Sequence, residues 1–327
     1  PSSAASDVYK RQVLKTRWEI LRILSSPEVS QLVGRRHWIG RALDRTAKIL
    51  LGFGLFRGPA RYLANSRFAW SIVSRIDRVR GVRAKSRLLS LDRSRLPSHI
   101  SIIMDGNRRF AWSNSMNTVH GHSAGKEKLK QVMRWVLDLD VPYLTVYALS
   151  SENISNRPKD EIDVLYDLYI EGLNEIALDP LIHENRVRVN VVGRLDLLPK
   201  KVREAIDLAE MATQSYERFT FTICLAYGGR EEIIDAVKSL ASEHADGRIG
   251  LDSIDVNAIS SRLYTSSLPD PDLVIRTSGE ERISNFLLWQ IAYSEFYFTD
   301  VHWPSFSRQD LYWAIEDYVS RGRRYGS

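Results

Sequence analysis

His99-Ile100-Ser101-Ile102-Ile103-Met104 runs directly into Asp105-Gly106-Asn107-Arg108-Arg109-Phe110, and this junction decides how the chain folds. The first six residues form a short apolar run of the length a buried strand takes. The next six bring an acid, a glycine, an amide and two guanidinium groups. Similar β-rich runs recur at Tyr143 to Leu149, Arg186 to Val192, Phe219 to Leu225, Leu273 to Arg276 and Phe296 to Phe298. Helical patterns lie between them, at Lys126 to Leu139, Glu161 to Ala177, Pro199 to Thr213 and Glu231 to His244. Such alternation predicts an α/β fold with a six-stranded, mainly parallel sheet surrounded by helices. Ligands of such sheets sit at the carboxyl ends of the strands, and the polar motifs here begin where strands end.

The mixture after Met104 suits a diphosphate. Arginine's planar fork pairs with phosphate oxygens. A carboxylate can hold Mg2+, which takes further ligands from water and substrate phosphate. Gly106 permits close backbone approach, and backbone N–H groups after a strand cradle anions. The bland reading of Asp-Gly-Asn-Arg is a turn with solvated arginines. Downstream, His120-Gly121-His122 with Gly125-Lys126 offers more donors for the same phosphates. The two histidines, two residues apart, do not share a helix face and make no zinc pair. Ser150-Ser151-Glu152-Asn153 and Asn156-Arg157-Pro158 read alone as a capping turn before an acidic helix.

A second anion site follows the strand at Leu273. Asp272-Leu273-Val274-Ile275-Arg276-Thr277-Ser278-Gly279-Glu280 leads into Arg282-Ile283-Ser284-Asn285-Phe286, placing arginines and hydroxyls around a glycine. Glu295 then sits among aromatic residues, where an unpartnered carboxylate is costly; a cation or a salt bridge to an arginine would resolve it. Neither a Walker string nor an Asp-Asp-x-x-Asp string is present.

Composition bounds the rest. The chain has 327 residues, 44% hydrophobic and 26% charged, enough for one large domain with an appendage. Cys224, the single cysteine, excludes a disulfide framework and suits a small apolar strand position in a reducing compartment. Residues 1–95 carry 21 Lys+Arg against 6 Asp+Glu, a net +15, leaving the remainder at −9. Residues 1–12 read as a translated adapter without targeting grammar. Residues 13–95 read as a basic amphipathic helical extension, with Leu14, Trp18, Leu21 and Leu24 near one face and Ala69, Ile72, Val73, Ile76 and Val79 on another. Such helices suit an anionic membrane surface or pack on the domain. The apolar stretch around Ile49 to Phe56 is far short of the roughly 20 residues that span a bilayer. The catalytic domain is expected over residues 96–327.

With these motifs in this order, the sequence resembles the cis-prenyltransferase family, which includes undecaprenyl and dehydrodolichyl diphosphate synthases. Matching segments are Met104 to Arg109, Gly121 to Gly125, Tyr147 to Pro158, Tyr227-Gly228-Gly229-Arg230, Asp272 to Trp289 and Glu295 to Asp300; Arg282 to Gln290 is nearly diagnostic. The resemblance implies an apolar tunnel, a homodimer and Mg2+. It implies that allylic and isopentenyl diphosphates are joined with cis geometry into a long-chain polyprenyl diphosphate for a glycosyl carrier lipid. The expected location is cytoplasmic, and peripheral on the membrane's cytoplasmic face if residues 13–95 meet the membrane rather than pack on the domain.

By the same resemblance, Asp105 coordinates Mg2+ and assists diphosphate departure. Asn107, Arg109 and His122 line the allylic diphosphate site, and Gly106 and Arg108 shape its loop. Ser150 and Asn153 assist condensation and proton removal, while Arg157 and Glu161 anchor a closing loop. Arg276, Arg282, Ser284 and the C-terminal Arg323, the last from a neighbouring subunit, bind isopentenyl diphosphate. Glu295 completes the metal site across the dimer region. The family pattern is departed from at Thr118, Glu281 and Ile154-Ser155. Ala226 and the string Gly193 to Pro199 look more archaeal than bacterial, which favours geranylgeranyl diphosphate as primer and a dolichol-type carrier, with farnesyl diphosphate and an undecaprenyl-type carrier the open alternative.

Two other classes compete. A non-catalytic partner subunit of the same fold would lack the acid of the first motif, whereas Asp105, Arg276 and Glu295 are present. A nucleic-acid binder is motivated only by the +15 leader, and no recognition motif supports it; no nucleic acid is expected.

Overall fold

The computed structural model describes residues 93–321, together with Ser86, Leu88 and Ser90. The expected adapter, almost all of the basic extension and Arg323 lie outside the described residues. In chain order the elements are β1 (His99–Ile103), α1 (Asn107–Ser113), α2 (Thr118–Asp138), β2 (Tyr143–Tyr147), α3 (Ser151–Asn156), α4 (Lys159–Ile176), α5 (Pro180–Glu184) and β3 (Val187–Val192). Then come α6 (Lys200–Thr213), β4 (Phe219–Cys224), α7 (Gly229–Ala245), α8 (Val256–Ser260), β5 (Leu273–Arg276), β6 (Glu295–Phe298) and α9 (Arg308–Ser320).

The strands form one six-stranded sheet in the order β3-β4-β2-β1-β5-β6, and every pairing is parallel. All five residues of β1 are buried, as a strand covered on both faces requires. Edge strand β3 instead alternates, with Val187, Val189 and Val191 buried and Arg188 exposed. Ile100, Ile102, Leu144, Val146, Phe221 and Ile223 belong to the larger core, which includes residues of α2, α4, α6 and α9. Ile103, Tyr147, Cys224 and Val274 point the other way, into a smaller cluster with Tyr227, Phe286, Leu287 and Ile291. Ile100 and Ile102 are fully buried, so truncating either to alanine costs roughly 2–5 kcal/mol. Near the amino end of the second face, His99 is buried. Its Nδ1–H donates to the Pro269 carbonyl at 2.7 Å and its Nε2 accepts from the Thr145 hydroxyl at 2.8 Å.

Helix boundaries follow local chemistry. Asn117 caps α2 by accepting from the His120 N–H, and Ser307 with Asp310 forms a capping box on α9. Asp160 and Glu161 occupy the first turn of α4, where the helix dipole favours acids. Two expectations are extended. The sheet is wholly parallel, and the polar stretches after β1 and β2 are the short helices α1 and α3 rather than open turns.

From β1 the chain proceeds to β2 on one side, while β5 pairs along the other side and leads away to β6. The carboxyl end of β1 therefore lies where the connections diverge, the place at which open α/β sheets hold ligands.

Candidate active site

Asp105 stands two residues beyond β1. Its backbone is fixed first: the carbonyl accepts from Thr277 Oγ1 at 2.6 Å and from the Trp303 N–H at 3.0 Å. Gly106 then turns with φ 104°, and a Cβ there would lie 2.6 Å from Ser278 Oγ. Only glycine meets both conditions without strain. Ser278 Oγ lies 2.8 Å from His302 Nδ1, so the turn rests on a hydrogen-bonded pair from two later segments.

The Asp105 carboxylate is clasped by two guanidinium groups, with Oδ2 2.9 Å from Arg276 Nη2 and Oδ1 3.1 Å from Arg109 Nη2. Burial pushes its pKa up, but the Arg276 hydrogen bond and the charges of Arg109 and Arg276 outweigh that, leaving it below the ordinary value. Arg276 is buried and also donates from Nη1 to Ser284 Oγ at 2.8 Å and to the Arg282 carbonyl. Arg109 extends the network from Nη1, 2.9 Å from both the Ser278 carbonyl and Glu280 Oε1. Arg282 pairs with the other Glu280 oxygen and projects its largely exposed side chain into the cleft. Ser278, Gly279, Ser284, Asn285 and Leu287 all have positive φ, so the segment after β5 folds back over the site in tight turns.

Across the cleft Glu161 gathers three cationic or polar partners. Arg157 Nη1 lies 2.8 Å away, buried His122 Nε2 3.2 Å away and Arg108 Nε 3.9 Å away. Burial lowers the His122 pKa although Glu161 pulls it up, which favours the neutral ring. Asn107 sits between the two groups. Gly121 and Gly125 of α2 leave room for it, since a Cβ on either would lie 2.2 Å from its carbonyl oxygen or 2.5 Å from its Oδ1. That Oδ1 is buried against Gly125 without a hydrogen-bond partner. Ser150 caps α3 by accepting from the Asn153 N–H at 3.1 Å, and both line the cleft.

The cleft has a volume of about 820 Å3 and carries Arg108, Arg109, Arg157, Arg276 and Arg282. It shares Met104, Asn107, His122, Tyr147, Ala148 and Arg157 with a second, apolar cavity of about 160 Å3. That cavity lies over Phe221 and Ile223 of β4 and Leu225 just beyond it and is flanked by α2 and α4, with Leu129 and Leu168 among its walls. An anion-binding cleft opening into a greasy recess suits a ligand with a polyanionic head and a hydrocarbon tail.

Two expectations are corrected, at Lys126 and His120, while Glu295, expected to act across a dimer, is remote from Asp105 within one chain: strand register sets it level with Leu273 and Ile100. Asp105 lies five residues further on than Ile100, about 16 Å along the strand direction at ~3.3 Å per residue. The Glu295 carboxylate is satisfied by Arg321 at 2.8 Å, the salt bridge that its aromatic surroundings call for. Lys126 does not serve the phosphate site; it pairs with Glu171 and Glu175 beside the apolar cavity. His120 is exposed and engaged with Asn117. Cys224 is the buried apolar residue expected, its thiol pKa raised by burial.

Sequence reading did not single out Asn285. Its Nδ2 reaches Glu152 at 2.8 Å and Glu231 at 3.1 Å, and its Oδ1 accepts from the Arg230 N–H. It thus ties the loop after β5 to α3 and to the start of α7. An asparagine tolerates the φ of 62° here, which was the available signal. Nor was Glu232 singled out. It is fully buried and accepts from Tyr227 OH at 2.5 Å, Gln290 Nε2 at 3.0 Å and the Tyr264 N–H at 2.8 Å, and burial raises its pKa.

Residues 103–326 match a family model described as undecaprenyl diphosphate synthase. A tritrans,polycis-undecaprenyl-diphosphate synthase (geranylgeranyl-diphosphate specific) from Methanocaldococcus jannaschii is 49% identical over 239 residues, covering 72% of this chain and 85% of that protein. Its namesake from Methanopyrus kandleri is 51% identical over 232 residues, covering 71% and 85%. Among solved structures, lavandulyl diphosphate synthase from Lavandula x intermedia, in complex with dimethylallyl diphosphate, superposes with a TM-score of 0.69 at 34% identity, covering 72% of this chain and all of that one. With a six-stranded parallel sheet, an arginine-lined cleft at its carboxyl edge and relatives of this kind, the chain belongs to the cis-prenyltransferase family of prenyl diphosphate synthases.

Proposed function

We propose that this chain lengthens geranylgeranyl diphosphate with successive isopentenyl diphosphate units, in cis geometry, to a long-chain polyprenyl diphosphate for a glycosyl carrier lipid. The observation that carries this reading is the joining of the five-arginine cleft to the apolar cavity at Met104, Asn107 and His122. The primer choice follows the printed names of the archaeal relatives.

In this reading Arg109, Asn107 and His122, with the Gly106 turn and Arg108, hold the allylic diphosphate at the mouth of the cavity. Its hydrocarbon tail lies between α2 and α4. Arg276, Arg282 and Ser284 hold isopentenyl diphosphate, with Arg323 as a further candidate. Arg157 and Glu161 anchor the segment that closes the cleft. Arginines facing the leaving diphosphate stabilise its developing charge, and apolar walls keep water from the allylic cation. The isopentenyl double bond then attacks the allylic carbon, and the new chain gives up a proton to the released diphosphate, with Ser150 and Asn153 placed to assist.

Mg2+ fits one part of the site. Among the described residues no cluster of three or more acids, histidines or cysteines could hold a metal. Mg2+ however needs only one or two carboxylates once substrate phosphates supply oxygens. Asp105 qualifies: it is held ionised and is a quarter exposed to the cleft. Mg2+, when bound there, supplies charge to the departing diphosphate. Glu295 could serve such a site only from a second copy of the chain, so its metal role stands or falls with a homodimer. No helix among the described residues is long and apolar enough to cross a membrane. Residues 13–95, basic by sequence, are the segment to meet an anionic membrane surface, leaving residues 96–327 as the catalytic unit.

The test is incubation of the full chain with Mg2+, labelled isopentenyl diphosphate and either geranylgeranyl or farnesyl diphosphate, with products sized. Label should enter long chains, fastest from geranylgeranyl diphosphate. No incorporation from any allylic primer would refute the reading.

A further inference from the structure

Five residues of the cleft close into a ring of charged contacts. Asp105 Oδ1 meets Arg109 Nη2 at 3.1 Å, and Arg109 Nη1 meets Glu280 Oε1 at 2.9 Å. The other Glu280 oxygen pairs with Arg282, whose carbonyl accepts from Arg276 Nη1. Arg276 Nη2 then returns to Asp105 Oδ2 at 2.9 Å. Arg109 and Arg282 serve the two diphosphate positions of the proposed reaction, and Glu280 is the member of the ring that holds both.

The backbone holds Glu280 in that place. Ser278 and Gly279 are consecutive left-handed residues, with φ 75° and 73°, and their N–H groups donate to the Val301 and Thr299 carbonyls at 2.8 Å each. The turn is thereby pinned to the segment after β6, and the carboxylate that follows it meets both guanidinium groups. The Arg282 hydrogen bond, with the charges of Arg282 and Arg109, keeps the Glu280 pKa below its ordinary value. An anion binding to Arg109 or Arg282 must therefore displace an ionised carboxylate. A diphosphate brings more charge and more oxygens to the arginine fork and prevails, but its apparent affinity falls by the fraction of sites that Glu280 occupies. The same competition acts in reverse. Each condensation in the proposed reaction frees one inorganic diphosphate at the allylic position and leaves the lengthened chain's diphosphate at the isopentenyl position. The first must leave and the second must move before another unit is added. A carboxylate between the two positions takes up either guanidinium as its diphosphate departs.

We propose that Glu280 is a positioning residue that acts through Arg109 and Arg282 as an internal competitor of diphosphate, promoting its release and its transfer between the two positions. This deepens the synthase reading and rests on it. Glu281, next in sequence, is exposed and supplies the comparison. Neutralising it makes the same change in net charge outside the ring.

The experiment titrates the full chain, in buffer with Mg2+, with inorganic diphosphate by calorimetry, beside thermal melting and inhibition of the elongation assay by the same ion. Glu280→Gln keeps the shape and removes the charge. Its affinity for inorganic diphosphate should rise at least about threefold, the scale of one part-exposed charge pair, and inhibition by added diphosphate should deepen to match. A residue that only braces the loop would weaken binding or leave it alone when altered, so weakened or unchanged affinity overturns the proposal. Equal tightening in Glu281→Gln also overturns it, since the effect would then be one of net charge. Should Glu280→Gln fail to fold, Glu280→Asp decides, because its shorter side chain falls short of spanning both guanidinium groups; wild-type affinity there overturns the proposal. A wild-type chain that binds inorganic diphosphate but elongates no primer overturns the synthase reading, while the titration alone judges Glu280.

Discussion

Arg276 Nη2 donates to Asp105 Oδ2 at 2.9 Å although 171 residues separate the two in sequence. The guanidinium is almost wholly buried and the carboxylate is a quarter exposed, so the pair couples the floor of the cleft to its surface. Asp105→Asn keeps the shape and a hydrogen-bond acceptor but removes the charge. It should lower kcat by roughly 10²–10³, the scale for losing one charge-stabilising group at a reacting centre, with folding largely retained. Steady-state kinetics beside a melting curve check this; wild-type kcat would refute a chemical role for Asp105.

Arg276→Ala removes the other partner. The Asp105 carboxylate would keep Arg109, but Ser284 Oγ and the Arg282 carbonyl would lose their donor. The KM for isopentenyl diphosphate should rise by about tenfold or more, equivalent to at least ~1.4 kcal/mol, while the KM for the allylic diphosphate moves less. An equal rise in both would refute the assignment of the two diphosphate positions.

At Gly106 the backbone and the packing make the same demand. Gly106→Ala should cost roughly 1–3 kcal/mol from the left-handed φ alone, plus the collision with Ser278 Oγ. Adding Ser278→Gly should recover the collision part and leave the backbone part. Chemical denaturation of both variants separates the two, with Ser278→Gly alone as the reference because Ser278 has its own φ of 75° and its bond to His302. A double variant as stable as Ser278→Gly would show that the backbone conformation at 106 costs nothing.

His99 gives a pH signature of stability. Burial lowers its pKa from 6.5 to about 4, with the Pro269 hydrogen bond and Asp272 opposing. Because the folded value is depressed, the unfolded chain takes up the proton first as pH falls. The contribution is fully present above pH 6.5 and declines toward pH 4, by about 3 kcal/mol in all. Denaturant midpoints at pH 7, 5.5 and 4.5 should fall in that order, and His99→Gln should flatten the decline. An equal slope in that variant would assign the acid sensitivity elsewhere.

Asn285→Ala should loosen the loop after β5 from α3 and α7. It should raise the KM for isopentenyl diphosphate about tenfold, on the scale of one or two lost hydrogen bonds at ~1 kcal/mol each, with kcat less affected. Asn285→Gly, which tolerates the φ of 62° but makes no side-chain bond, should behave alike. Wild-type KM in both would show that the clasp has no bearing on substrate.

The strands were legible because a sheet covered on both faces asks for short apolar runs, and β1, β2, β4 and β5 have them. The arginines of the cleft were legible because two arginine-bearing motifs, after Met104 and after Ile275, each begin where an apolar strand ends. Helix α1 was not, since Asn107-Arg108-Arg109 reads as a solvated turn. What stabilises it is the docking of Asn107 against Gly121 and Gly125, a tertiary contact absent from local pattern. Lys126 was misplaced for a related reason. Residue type gives charge, but only register and helix crossing say which partner that charge meets. The Asn285 clasp joins segments 133 residues apart, beyond any periodicity.

The sheet order has a consequence for biosynthesis. A chain emerging from the ribosome can complete β3-β4-β2-β1 before β5 has been made. Such an intermediate holds Asp105, Arg109 and His122 but leaves one edge of β1 open, with Arg276 and Ser284 still to come. Closing that edge with β5, a pairing of long sequence separation and therefore slow, is the same event that brings Arg276 and Ser284 to Asp105 and Arg109. Under the proposed function, diphosphate binding at both positions would report completed folding, and ligand added during refolding should favour the finished chain over partly made ones.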